Sequence, residues 1–230
     1  MTAILTRTLA VGAVPIILAG CMGAGRLELA CFDPPVIGPA AHASVVSVHK
    51  MGGGIDVADA PDGADLSTMG GDVHVGSAGP FAKLKTMGGD ISINRAAGSV
   101  DASTMGGKIN IGQAGGAIKA STMAGDVTAH LTGSSSARRD ISLSSMSGAI
   151  LLTVPKDYGM DVQIKLAYTK NSDGKYRVIQ HLGLSERQTT EWDTHDGTPR
   201  KYIYVTGRVG NGGNTVKIDT INGDISLKQE

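Results

Sequence analysis

Apolar and polar residues alternate along most of this chain in short runs, and the runs come in pairs. Ile55/Val57, Val73/Val75, Ile91/Ile93 and Ile109/Ile111 are separated by Asp56, His74, Ser92 and Asn110. A second set, Val46/Val48, Ala64/Leu66, Ala82/Leu84, Val100/Ala102, Ile118/Ala120 and Ile141/Leu143, alternates with residues such as Lys83, Asp101, Lys119 and Ser142. A period of two with one apolar side predicts strands buried on one face. Between the two runs of a pair stands the phrase Thr-Met-Gly-Gly, whose glycines permit the crowded or left-handed backbone of a sharp corner.

The pairs recur. Met51, Met69, Met87, Met105 and Met123 are each eighteen residues apart, Met146 follows after twenty-three, and a further copy, "INGDISL", starts at Ile221. A repeat near twenty residues marks a solenoid. Eighteen residues leave no room for a helix between strands, so same-sense strands stack ~4.8 Å apart, lap upon lap. The predicted fold is an all-β, single-domain parallel β-solenoid (β-helix) of about 18 residues per coil, spanning residues 44–230. Regular coils cover 44–154, an irregular excursion about 155–204, and a closing coil 205–230. Each coil reads as strand, Thr-Met-Gly-Gly corner, strand, looser turn.

Stacking places equivalent residues in columns. One holds Thr68, Thr86, Thr104 and Thr122, with Ser145 and Thr220 as variants. The methionines form another and are expected inside, where unbranched thioethers fill a gap. Thioethers also suit Cu(I), but packing accounts for every one of these methionines, so no metal site is assigned. A third column, Gly54, Asp72, Asp90, Lys108, Asp126 and Ala149, follows the glycines. Its aspartates are expected to bond turn N–H groups. A cation between Asp72 and Asp90 is the lesser reading, because a calcium roll needs two glycine-rich turns per lap and a later Asp. Five residues are added near "GSSSARR" (residues 133–139), in the looser turn. Arg138 and Arg139 there suit a solvated loop, with an acidic sugar or phospholipid as the alternative.

The ends and the composition bound the setting. "LAVGAVPIILAG" is an apolar run too short to span a bilayer, and Cys21 follows it directly. "LAGC" resembles the lipobox of bacterial lipoproteins, which implies a leader over residues 1–20, acylation of Cys21, and a tether over residues 21–43. The resemblance places the protein in the bacterial cell envelope, and Met22 fits passage to an outer membrane where the cell has one. Acyl chains at ~0.8 kcal/mol per buried methylene hold such a protein to its membrane. With Cys21 acylated, Cys31 has no partner in the chain. Acidic and basic residues balance at 21 each with no polybasic run, so nucleic acid is not an expected partner.

The Gly-Asp-Ile phrases and the terminal "GNGGNTVKIDTINGDISL" resemble the adhesin-like family of β-strand-repeat bacterial envelope proteins, a domain of unknown function. That resemblance implies binding at the envelope and carries no active-site residues with it. The six histidines fall at unlike repeat positions, and no G-x-S-x-G, H-E-x-x-H or P-loop is present. We therefore expect a non-catalytic, membrane-anchored binding or scaffold module without catalytic residues or cofactor. A polysaccharide-acting β-helix enzyme and a self-associating structural protein are the alternatives. The oligomeric state is open. A ligand, an envelope glycan or a protein, is expected at the aromatic excursion, on Trp192, Tyr176, Tyr202 and Tyr204, since such rings stack on sugars. The same rings could instead plug the solenoid where the repeat fails.

Overall fold

The computed structural model describes residues 44–133, 139–194 and 197–230. The expected leader and tether, with Cys21 and Cys31, and Arg138 lie outside the described residues. Six laps follow one another as strand pairs: β1 (Val46–Lys50) and β2 (Ile55–Ala60), β3 (Ala64–Thr68) and β4 (Val73–Ala78), β5 (Phe81–Lys85) and β6 (Ile91–Ala96), β7 (Ser99–Ser103) and β8 (Ile109–Ala114), β9 (Ile118–Thr122) and β10 (Val127–Leu131), β11 (Ile141–Ser145) and β12 (Ile150–Val154). The first strand of each pair joins one parallel sheet and the second joins another. The register repeats the eighteen-residue step, with Leu66 beside Leu84 and Ile91 beside Ile109. The apolar members of the alternation face inward, and Leu66, Ile93 and Ile111 are sealed from solvent. The chain is an all-β solenoid whose strands alternate between two parallel sheets.

The Thr-Met-Gly-Gly corner is held by contacts between laps. Thr68, Thr86, Thr104, Thr122, Ser145 and Thr220 are buried. Their hydroxyls donate to Gly53, Gly71, Gly89, Gly107, Gly125 and Gly148 carbonyls of the adjacent lap at 2.8–3.0 Å. The two glycines differ in their roles. A Cβ on Gly71, Gly89, Gly107, Gly125, Gly148 or Gly223 would lie 1.9–2.3 Å from the neighbouring lap's backbone, closer than atoms can approach. A Cβ on Gly70 meets nothing within 4 Å, and one on Gly106 nothing nearer than 3.5 Å. Later laps accordingly place Ala124, Ser147 and Asn222 at the first position and keep glycine at the second.

Two sequence-based expectations are corrected at the corners. The methionines are outside: Met69, Met87, Met105, Met123 and Met146 are 46–48% exposed and Met51 82%. Leu66 and Thr68 share the inward face by the period of two, so the residue after Thr68 points out. The inward place is taken by a hydroxyl that the glycine carbonyls require. The second turn is also tighter than expected, with two residues between β4 and β5 and between β6 and β7, against four or five at the first corner. There a Cβ on Gly79 or Gly98 would lie 1.8 or 1.9 Å from the Pro61 or Pro80 carbonyl of the preceding lap.

The aspartate column continues the ladder. Asp72, Asp90 and Asp126 accept, each through Oδ1, the amide of residue 90, 108 or 149 in the next lap, at 2.7–3.0 Å. Lys108 Nζ lies 3.5 Å from Asp126, so the column alternates in charge at that step.

The stacking order then departs from the chain order. After β12 come β13 (Met160–Thr169), a 3₁₀ turn (Lys170–Ser172), β14 (Val178–Gln180), β15 (Ser185–Gln188), β16 (Arg200–Val209), β17 (Asn214–Ile221) and β18 (Ile225–Gln229). β17 lies between β11 and β13, and β18 between β12 and β14. The last lap of the chain is thus the second-last of the stack. It is bonded on both sides, with Val216 beside Ile141 and Val162, and Ile225 beside Ile150 and Val178. Its side chains complete the corner devices across that gap: Asp224 Oδ1 accepts the Arg177 amide at 2.9 Å, and Asn222, at φ 53°, accepts the Thr169 amide at 3.0 Å. The excursion is therefore not a departure from the coil throughout, because β13 and β14 form a lap. Its expected limit at residue 204 cuts through β16, which pairs antiparallel with all of β13. β15, exposed at every residue, closes that edge with Ser, Glu, Arg and Gln, side chains that discourage further pairing.

The corner geometry separates the two glycines in a measurable way. Gly106→Ala should leave the urea midpoint unchanged or raise stability by up to ~1 kcal/mol, because only the unfolded chain loses freedom. Gly107→Ala should lower it by at least ~2 kcal/mol, since the Gly89 carbonyl of the preceding lap must move. Equal effects would refute the close approach. The inserted lap gives a second test, read by amide exchange. Ending the chain after Gly213 should strip protection from β13, β14 and β16 while β3 to β10 keep theirs; protected capping strands would contradict the topology.

Candidate functional site

The capping strands carry the aromatic residues, and strand alternation sorts them. On β16, Tyr202 and Tyr204 point to the outer face of the sheet, while Lys201 and Ile203 point the other way. Directly paired residues share a face, so Lys165 and Arg187 stand beside Tyr204, and Arg200 beside Thr169 on the same side. The Tyr202 and Tyr204 rings stack at 5.9 Å and 29°. Lys165 Nζ lies 4.7 Å from the centre of Tyr202. A shallow cavity of about 170 Å³ adjoins the pair, lined by Lys165, Arg200, Tyr202, Asp219 and Ser144 among others. Arg200 Nε is buried there without a hydrogen-bond partner. Lys165, Arg187 and Arg200 against Asp219 make the patch cationic.

The four aromatic residues named from the sequence do not form one site. Trp192 sits on the opposite face of the capping strands, edge-on to Tyr168 at 6.0 Å and 81°. Lys201 Nζ lies 4.8 Å from the Trp192 ring. Trp192 is half-buried against the core, as is Tyr176, which precedes β14 at the end of the other sheet. Tyr202 and Tyr204 alone come together. Sequence reasoning missed Lys165, Arg187 and Arg200, because only the antiparallel register of β13, β16 and β15 brings them beside the rings.

Elsewhere polar groups serve the fold. Arg139 is buried, which corrects both the solvated-loop and the ligand-gripping readings for that residue. Its guanidinium donates to the Thr132 carbonyl at 2.7 Å and the Gly115 carbonyl at 3.3 Å, and it lies 5.6 Å from the centre of the Tyr158 ring. The Tyr158 hydroxyl donates to the Arg139 carbonyl. Burial pushes the Tyr158 phenol up to about 12, Arg139 pulls it down by less, and Asp140 adds to the rise. Asn214 joins this cluster to the inserted lap, accepting the Arg139 amide and donating to the Gly159 carbonyl, both at 2.7 Å. Among the described residues, no group of three or more His, Cys, Asp or Glu gathers as a metal-ligand set.

The structure thus defines a parallel β-solenoid with a cationic, tyrosine-bearing patch on its capping strands. No family model, curated protein or solved structure matches the chain.

The division of the aromatic residues sets an order of stability effects. Trp192→Ala should lower stability by ~1–3 kcal/mol, through lost burial and the Tyr168 contact. Tyr204→Ala, on the outer face, should cost less in the same urea titration. The reverse order would mean that Trp192 is not part of the cap.

Proposed function

We propose that the protein is a non-catalytic binding or scaffold module of the bacterial cell envelope, anchored through an acylated Cys21, that holds an anionic envelope glycan on its capping strands. The observation that carries this reading is the stacked Tyr202–Tyr204 pair with Lys165 over one ring and Arg187 and Arg200 beside it. Aromatic faces take the apolar faces of sugar rings, and guanidinium forks take carboxylate or phosphate in two parallel bonds. The solenoid supports such a surface, because the inserted lap pairs with β13 over Met160–Ala167 and β13 pairs in turn with all of β16. The lipobox-like "LAGC" and the adhesin-like resemblance of the repeat support the setting.

The test is a titration of the detergent-solubilised full chain against acidic and neutral envelope polysaccharides. Binding to the acidic polymers should weaken about tenfold in Tyr202→Ala/Tyr204→Ala, the loss expected when two ring contacts worth ~0.5–1.5 kcal/mol are removed. It should also fall with added salt. Unaltered binding by the double variant, or binding to none of the polymers, would sink the glycan reading. Radioactive fatty acid should label the wild type and not Cys21→Ala; an unlabelled wild type would sink the anchor.

A further inference from the structure

The structure removes the reason the methionines appeared to need no ligand. They occupy six successive laps at one outward position, from Met51 to Met146, and that position rewards no burial. Two of the positions around it have drifted, while the serine two places before it and the aspartate three places after it recur in several laps. The outward strand residue four places before the methionine is Asp65, Lys83, Asp101, Lys119 and Ser142 in successive laps. The residue after it changes from glycine to Ala124 and Ser147. Any soluble side chain would satisfy such a site, and a merely apolar one could be Leu or Ile, as Ile221 is in the inserted lap.

The six are aligned as well as repeated. Gly106 donates to the Met87 carbonyl and Ala124 to the Met105 carbonyl, each at 3.1 Å, which pins neighbouring methionines one rung apart. Rungs of a parallel sheet are ~4.8 Å apart. Met51, the first of the row, is far more exposed than the five beyond it, as expected if each methionine is covered by the one before. On the chain beside them lie glycines or small residues and, from Met69 on, an inward threonine or serine, and the six side chains are 46–82% exposed.

We propose that this row of thioethers is a binding ladder for a soft monovalent cation, Cu(I) or Ag(I). Thioether sulfur selects Cu(I) over the hard divalent ions. Unbranched side chains on adjacent rungs, each with several rotatable bonds, can bring two or three sulfurs onto one ion. The last methionine of the ladder, Met146, lines the cavity of the cationic patch, but Met51 to Met123 do not, and the ladder does not depend on glycan binding there.

The test uses the full chain with Cys21→Ser and Cys31→Ser, so that no thiol competes, and methionine labelled with ¹³C at its methyl group. On addition of Ag(I), the ridge methyl signals should shift while that of Met160, fully buried in the core, should not. Several ions should remain bound per chain by native mass spectrometry, and Zn(II) should give no shift. Met87→Leu/Met105→Leu keeps an apolar ridge, interrupts the row, and should lower the number of retained Ag(I) ions by at least half. An unchanged ion count in that variant, or no ions retained by the parent chain, overturns the proposal. Self-association that persists in the leucine variant without any metal bound would show an apolar docking ridge instead, and overturns it equally.

Discussion

Everything in this solenoid depends on how closely one lap lies on the next at the Thr-Met-Gly-Gly corner. The flanking strands fix the spacing, and at that spacing the turning backbone touches the carbonyl of its neighbour. Only a residue without Cβ fits at the second glycine, and the carbonyl it abuts needs a donor from inside. The threonine hydroxyl supplies one, and in Thr86 and Thr104 it also accepts an amide of its own corner, from Gly89 at 3.3 Å and Gly107 at 3.2 Å. Buried polar groups left unpaired would cost ~1–3 kcal/mol each, so the hydroxyl and the glycine belong together. The aspartate outside the corner repeats the same logic in water, where geometry matters more than charge.

This interaction explains which parts of the fold were legible. The strands were, because an alternation such as Ile91–Ser92–Ile93 has one burial solution once laps stack in register. The column of threonines was visible, but not that it faced the core. Composition favours burying Met69 over Thr68, and the inter-lap hydrogen bond reverses that preference. The second turn looked looser because its sequence varies, from Pro61-Asp62-Gly63 to Ala97-Gly98. Variation there reflects several ways of making a tight turn. Arg139 was misread for a related reason: a charged residue beside a serine-rich stretch suggests solvent, yet its guanidinium closes carbonyls that the insertion leaves open.

The patch on the cap was half legible. Tyr202 and Tyr204 share a face by the strand period, which any reader of the sequence can derive. That Trp192 falls on the other face, and that Lys165 and Arg187 fall on this one, follows from an antiparallel pairing between segments whose order in space differs from their order in the chain. A sequence with strong repeats invites the assumption that laps stack as they are written. The repeats of the inserted lap match their neighbours equally well in either place, so the pattern alone could not say where that lap goes.

The inserted lap also alters where the molecule can come apart. A simple stack frays from both ends like a zipper, since each terminal lap is held on one side only. Here the C-terminal strands are held on both sides, by β12 and β14 and by β11 and β13. Withdrawing the last strand means breaking two ladders at once, so β18 behaves as an interior element although Glu230 directly follows its last residue, Gln229. Opening from a chain end is left to β1, the edge strand at the far end of its sheet, whose Val46 and Val48 are only half-buried. The opposite edges, β14 and β15, lie within the chain, so among the described residues β1 is the strand at which a chain end can be pulled from the stack. Force applied at Val46 would peel laps singly from β1, while the capping strands with their tyrosine pair would be the last to lose their support.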